Sequence, residues 1–235
     1  MSTYDELVER INAEDKSVLQ DPDIGKVHGS ESSDTALHTA AEAWEDTLYH
    51  PDVSRARNKY GTTPLHYAAN VWESALQHPD ISKVKNKYGA TPLHWATMNL
   101  ESAWIHPEIN IPIDEYGKTP LHYAAAKWES ALQHPEINTT RDRTGETPLQ
   151  TGARPWPLTA LAHPAAKEMQ ENGDYLIHHI SRMGKLGGLK LRSLLSAHQD
   201  FKTLKNLWGQ TPKEVWGKPI ESPDTNESDD GIYEE

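Results

Sequence analysis

The sequence predicts an all-α repeat protein, a solenoid of short helix pairs with projecting loop or β-hairpin fingers. Three observations carry this. The tetrapeptides TALH, TPLH, TPLH, TPLH and TPLQ begin at Thr35, Thr63, Thr91, Thr119 and Thr147, each 28 residues after the last, and Gly61, Gly89, Gly117, Gly145 and Gly173 keep the same spacing. Residues 63–81 and 119–137 are one phrase with three letters changed. Within a unit, Leu65, Ala68, Ala69, Trp72, Ala75 and Leu76 follow helical spacing, and so small an apolar stripe is buried only by stacking neighbours.

Residues 1–34 read as an N-terminal capping half-repeat, because KSVLQDPDIGKV (Lys16 to Val27) mirrors the later ESALQHPDISKV. Five 28-residue units fill residues 35–174. In each, Thr-Pro opens a helix: the threonine hydroxyl can accept from an exposed backbone N–H, and proline suits the first turn, where its missing N–H had no partner. The helical part ends by His78, since Pro79 disfavours helical geometry in the residue before it. The apolar spacing does not break at Asn70-Val71, so a pair of short helices and one helix of about fifteen residues both fit. DISKVKNKYG then alternates and closes on a glycine turn, which reads as an extended finger.

Counting 28 from Thr147 reaches Tyr175, opening YLIH, and HQDFKTLKNLWG (His198 to Gly209) aligns with HPDISKVKNKYG. Residues 175–216 are therefore a long final repeat and C-terminal cap, lengthened by SRMGKLGGLKLRSLLS (Ser181 to Ser196). Residues 217–235 hold seven acids and one lysine, the composition of a disordered tail. Such a tail is expected to shield a basic surface, either the fingers or Arg182, Lys185, Lys190 and Arg192.

The glycine turn, the T-P-L-H-x-A-A stretch, a second helix and a projecting finger resemble the ankyrin repeat family. The resemblance covers residues of about 3–216, although each unit is five residues short of the family's usual ~33. The loss falls between the helices. The L-x-x-L-x-L pattern of leucine-rich repeats is absent. The resemblance implies binding of a partner protein through the finger tips and the residues closing helix one. By position these are Lys59, Tyr60 and Thr62; Lys87, Tyr88 and Ala90; Glu115, Tyr116 and Lys118; and the pairs Asn70-Val71, Met98-Asn99 and Ala126-Lys127. It also implies that the TPLH histidines tie adjacent repeats together by hydrogen bonds.

Composition narrows the remaining classes. There is no cysteine, and no run approaches the roughly 18–20 apolar residues that cross a bilayer. A cytoplasmic protein without membrane attachment is expected. No G-x-S-x-G, phosphate loop or H-E-x-x-H occurs, so no enzyme, cofactor or metal is expected. Eleven of thirteen histidines fall into two columns at repeat spacing. Packed helices lie ~8–10 Å apart, so members of a column cannot share a metal, which needs ligands about 2 Å from one centre. Trp44, Trp72, Trp128 and Trp156 hold one repeat position and read as core. The third unit has Leu100 there and carries Trp95 and Trp104 instead, as though bulk had moved.

The net charge is −12, but it is uneven: residues 1–34 sum to −6, 35–146 to −4, 147–216 to +4 and 217–235 to −6. Arg55, Arg57 and Lys59 alternate along one finger and Lys83, Lys85 and Lys87 along the next. On strands each trio would share a face, giving either a six-charge basic patch or solvated charges that keep edges apart. Tyr60, Tyr88 and Tyr116 stand at the tips, either as contact anchors or packed on a neighbouring finger. The expected function is a non-catalytic protein-binding module, adaptor or inhibitor. Nucleic-acid or other polyanion binding through the basic fingers is the alternative, and mimicry of a polyanion by the acidic ends to inhibit a nucleic-acid enzyme is a third.

Overall fold

A computed structural model describes residues 1–30, 33–169, 173–183, 195 and 198–216. Its ordered elements are helices. They comprise α1 (Tyr4–Asn12), α2 (Ala36–Ala43), α3 (Pro64–Ala69), α4 (Pro92–Asn99), α5 (Pro120–Lys127), α6 (Pro148–Gly152), α7 (Pro157–Ala162) and α8 (Leu176–Arg182), with short 3-10 turns between them. Among the described residues there is no strand, and one isolated bridge joins His28 to Thr35. No described helix is long and apolar enough to cross a membrane. The acidic tail and most of the Ser181–Ser196 insertion, with Lys185, Lys190 and Arg192, lie outside the described residues.

The chain divides into two compact units, Met1–Ala160 and Leu161–Glu235. In the first, α1 to α6 pack in series, each on the next. Thr3 caps α1: its hydroxyl accepts from Glu6 N, and the Glu6 carboxylate accepts from Thr3 N at 2.8 Å. Leu7, Ile11, Val18 and Ile24 then meet Leu37 and Ala40 of α2 in one buried cluster.

The repeated unit is a short α-helix, one extended residue and a five-residue 3-10 turn. In the second unit, opened by Thr63, the helix closes with Trp72 N donating to Ala68 O at 2.8 Å. Trp72 is extended (φ −108°, ψ 119°), and the 3-10 turn Glu73–Gln77 follows. The fifteen-residue helix is thereby excluded, and the second helix is a single 3-10 element. Its indole Nε1 donates to Ala41 O of the preceding unit at 2.9 Å, and Trp128 donates likewise to Thr97 O at 2.8 Å. Trp72 and Trp128 are thus half-buried staples between units.

The segments after each 3-10 turn are not the alternating fingers expected. The residues following His78 coil into another turn, with Ile81 N donating to His78 O and Lys83 N to Asp80 O. The His78 imidazole caps it by accepting from Asp80 N at 3.1 Å, as His50, His106, His134 and His163 do at their positions. Ile81 is buried and its carbonyl accepts from Leu93 N, so the loop returns directly to the next helix. A ladder cannot form because each loop gives its neighbour one backbone bond, such as Lys87 N to Tyr60 O at 2.9 Å.

The loop tip is an Asx turn. The Asn58 side-chain oxygen accepts from Tyr60 N and Thr62 N; Asn86, Asp114 and Asp142 repeat the arrangement. Gly117 then takes φ +76°, and a Cβ there would stand 2.9 Å from Arg143 N. A left-handed conformation and a close backbone approach both require glycine.

The second unit shows the same register. His178 Nε2 donates to Gln210 O, Asn206 supplies the Asx turn, and Leu207 N donates to Gly173 O at 2.9 Å. Arg182 and the fully buried Asp174 form an ion pair at 2.8 Å, and Asn206 Nδ2 also donates to Asp174. A buried charge pair satisfied in this way fixes register more than it adds stability.

Candidate functional site

The TPLH histidines build the wall on which the site rests. In each of four units, Nδ1 accepts from the backbone N–H of the helix-opening threonine, as in Thr63 N to His66 at 3.1 Å. The other nitrogen must then carry the proton, and it donates to a carbonyl of the next unit: His38 to Thr62, His66 to Ala90, His94 to Lys118 and His122 to Glu146, at 3.0–3.2 Å. These rings are buried, and burial pushes His66 and His94 down to about 4, with His38, His122 and His178 lowered as well. They are neutral at physiological pH. In the fifth unit Gln150 replaces histidine, and its side-chain oxygen accepts from Thr147 N at 2.8 Å.

Three of these four histidines each support an aromatic ring of the next unit, while the unit after His122 has Thr151 in that place. His38 meets the edge of Tyr67 at 5.4 Å, His66 that of Trp95 at 5.6 Å and His94 that of Tyr123 at 5.9 Å. Tyr67 and Trp95 also lie 5.5 Å apart. The residue directly after TPLH therefore forms a half-buried aromatic row. Tyr67 and Tyr123 have their hydroxyls on carboxylates, Asp34 and Asp114, the latter at 2.5 Å. Burial first, then those acids, raises both phenols and keeps them protonated.

Opposite this row stand Tyr60, Tyr88 and Tyr116, which are 42%, 47% and 58% exposed. Together the two rows line a groove of about 600 Å³ with Thr62, Ala90, Met98, Asn58, Asn86, His94, Asp114 and Glu115. Among the described residues, two carboxylates and no lysine or arginine line it.

Of the residues singled out by position, the groove brings together Tyr60, Thr62, Tyr88, Ala90, Met98, Glu115 and Tyr116. Thr62 contributes little surface, being buried. Lys59 sits over its neighbour Tyr60, 5.1 Å from the ring centre, and Lys87 is exposed beside Tyr88. Lys118 turns to the buried Asp142 at 3.6 Å. Asn70, Asn99 and Lys127 form a separate line along the ends of the helices: Asn99 Nδ2 donates to Asn70 Oδ1 and Lys127 Nζ to Asn99 Oδ1. Val71 and Ala126 are exposed beside it.

The basic patch expected from alternation is not a strand face. Arg57 Nη1 donates to Gly61 O and to Lys85 O, 28 residues on, and Lys85 Nζ donates to Ile113 O at 2.9 Å. These two cations clip one loop to the next. Arg55 and Lys83 are exposed, but they sit on coiled turns, not on a common strand.

Tyr67, Trp95 and Tyr123 were not singled out together by sequence reasoning. Their signal was present as an aromatic at 28-residue spacing immediately after TPLH. Trp95 belongs to this row and does not replace the bulk of Trp72. The exchange is between Leu100 and Trp104, which occupy the positions of Trp72 and Leu76 with their sizes reversed. Among the described residues no group of three or more His, Asp or Glu could hold a metal ion. Neither a protein-family model nor a curated protein matches the chain.

Proposed function

We propose that the chain is an ankyrin-like, non-catalytic binding module that grips a partner protein along the groove between its tyrosine tips and its TPLH-[YW] row. The groove itself carries the reading: six aromatic rings from four successive units, three of them anchored on buried histidines, line about 600 Å³. Preset aromatic rings supply contact area at small entropic cost, which is why they dominate binding surfaces. Its buried and half-buried titratable groups, His94, Asp114, Tyr67 and Tyr123, are tied to scaffold bonds, which favours recognition over proton transfer.

The test is comparative affinity capture from the native host with the wild-type chain and a Tyr60, Tyr88, Tyr116→Ala triple variant. A partner retained by the first and lost by the second, with unchanged circular dichroism, supports the module. Equal retention of every captured protein places binding elsewhere.

A further inference from the structure

The boundaries between units obey a pairing rule. At three of them the residue before the helix-opening Thr or Tyr pairs with the Asx-turn residue of the following unit. Asp34 accepts from Asn58 Nδ2 at 2.6 Å, Lys118 pairs with Asp142 at 3.6 Å, and Asp174 accepts from Asn206 at 2.8 Å. At the boundary between Thr62 and Asn86 both members are neutral. At the boundary between Ala90 and Asp114 the Asx-turn residue is a carboxylate, and the place that Lys118 holds one unit later is occupied by Ala90; the position that would face Glu146, residue 170, lies outside the described residues.

Asp114 is 7% exposed. One oxygen accepts from Tyr116 N and Lys118 N, the other from the Tyr123 hydroxyl. Among the described residues no lysine or arginine pairs with it. The nearby His94 is neutral, since burial holds it at about 4. Ala90 and Asp114 both line the groove, with Tyr88, Trp95, Tyr116, Tyr123 and the second acid Glu115 around them. A buried carboxylate is stabilised by a nearby cation, and aromatic faces attract one.

We infer that the notch between Ala90 and Asp114 receives a lysine or arginine side chain of the partner protein, completing the pair that Lys118 makes with Asp142 one unit later. The inference rests on the groove being the partner site and names the chemistry at its centre. The ammonium or guanidinium group docks on Asp114 and Glu115 while its methylenes lie against Tyr88, Tyr116 and Trp95.

The probe is acetyl-Gly-Lys-Gly-amide, with the arginine peptide as a second cation and the glutamine peptide as the neutral control, titrated into the full chain and followed by the Trp95 indole N–H and the Tyr116 amide in NMR. Both cationic peptides are expected to give saturable shifts, and glutamine at least tenfold weaker ones. Asp114→Asn keeps the Asx turn, as Asn58 and Asn86 do, and Ala90→Lys supplies an internal ammonium; each should weaken the lysine peptide tenfold or more. Equal binding of the glutamine peptide, or an unchanged affinity in Asp114→Asn, overturns the cation notch and leaves the groove standing. Absence of any shift with the cationic peptides also overturns it, whereas failure of the tyrosine triple variant to lose a partner would remove the groove itself.

Discussion

His66 Nε2 donates to the Ala90 carbonyl at 3.1 Å, while its Nδ1 takes the N–H of Thr63. One buried ring thus closes its own helix and fixes the next unit, and the same ring supports Trp95. Replacing it by alanine leaves the buried Thr63 N–H unsatisfied and opens a cavity, while the Ala90 carbonyl keeps its bond from Asn86 N, so the loss is about 2–4 kcal/mol. Glutamine restores the bond to Thr63 N, as Gln150 does to Thr147 N, so His66→Gln should cost clearly less than His66→Ala in urea denaturation.

The histidine column makes stability fall with acid. In the unfolded chain each imidazole titrates near 6.5; in the fold burial lowers it, to about 4 for His66 and His94. Below 6.5 the unfolded state binds the proton and the folded state does not, so stability is complete above that pH and is lost as pH falls from 6.5 to 4. Each of these two histidines contributes a slope of up to about 1.4 kcal/mol per pH unit in that window. Urea midpoints measured from pH 7.5 to 4.5 should decline steeply below 6.5, and the decline should be shallower in His66→Gln.

Two glycines with the same left-handed backbone should respond differently to alanine. At Gly117 an added Cβ meets Arg143 N at 2.9 Å, whereas at Gly145 none of the described residues lies within 4 Å. Gly145→Ala bears conformational strain of about 1 kcal/mol, and Gly117→Ala that strain together with a displaced loop, about 2–3 kcal/mol in all. Thermal or urea melts of the two variants check the order.

The indole staples give a fourth stability prediction. Trp128→Phe keeps the ring but loses the bond to Thr97 O, so about 1 kcal/mol should disappear. Leu100 occupies this position in the third unit without any such donor, and Leu100→Phe should show no comparable loss in the same melts.

The repeat length and the helix starts were legible because each depends on residue type at one fixed register, and the tying role of the TPLH histidines was implied by the family resemblance. The break at Trp72 was not. Ala68 and Ala75 are seven residues apart, a spacing that returns to the same face of an uninterrupted helix, so apolar periodicity is blind to a single extended residue between them. The loops misled for a related reason: Lys83, Lys85 and Lys87 alternate in sequence, yet Asp80 and His78 satisfy their own turn locally and leave nothing for a ladder. Of the groove, the tyrosine tips were visible singly, while Tyr67, Trp95 and Tyr123 were hidden inside the pattern that marked them as scaffold. The pairing that makes Asp114 an exception needs the 24-residue contact between Lys118 and Asp142, which no local motif announces.

The most direct measurement of the central claim is site-specific photocrosslinking in the native host, with p-benzoylphenylalanine placed at Tyr88 in the groove or at the exposed Ile105 outside it. The account predicts a discrete crosslinked partner from position 88 that is absent from position 105 and is competed by excess unlabelled wild-type chain. Crosslinking to the same partner from 105 with none from 88 would contradict it.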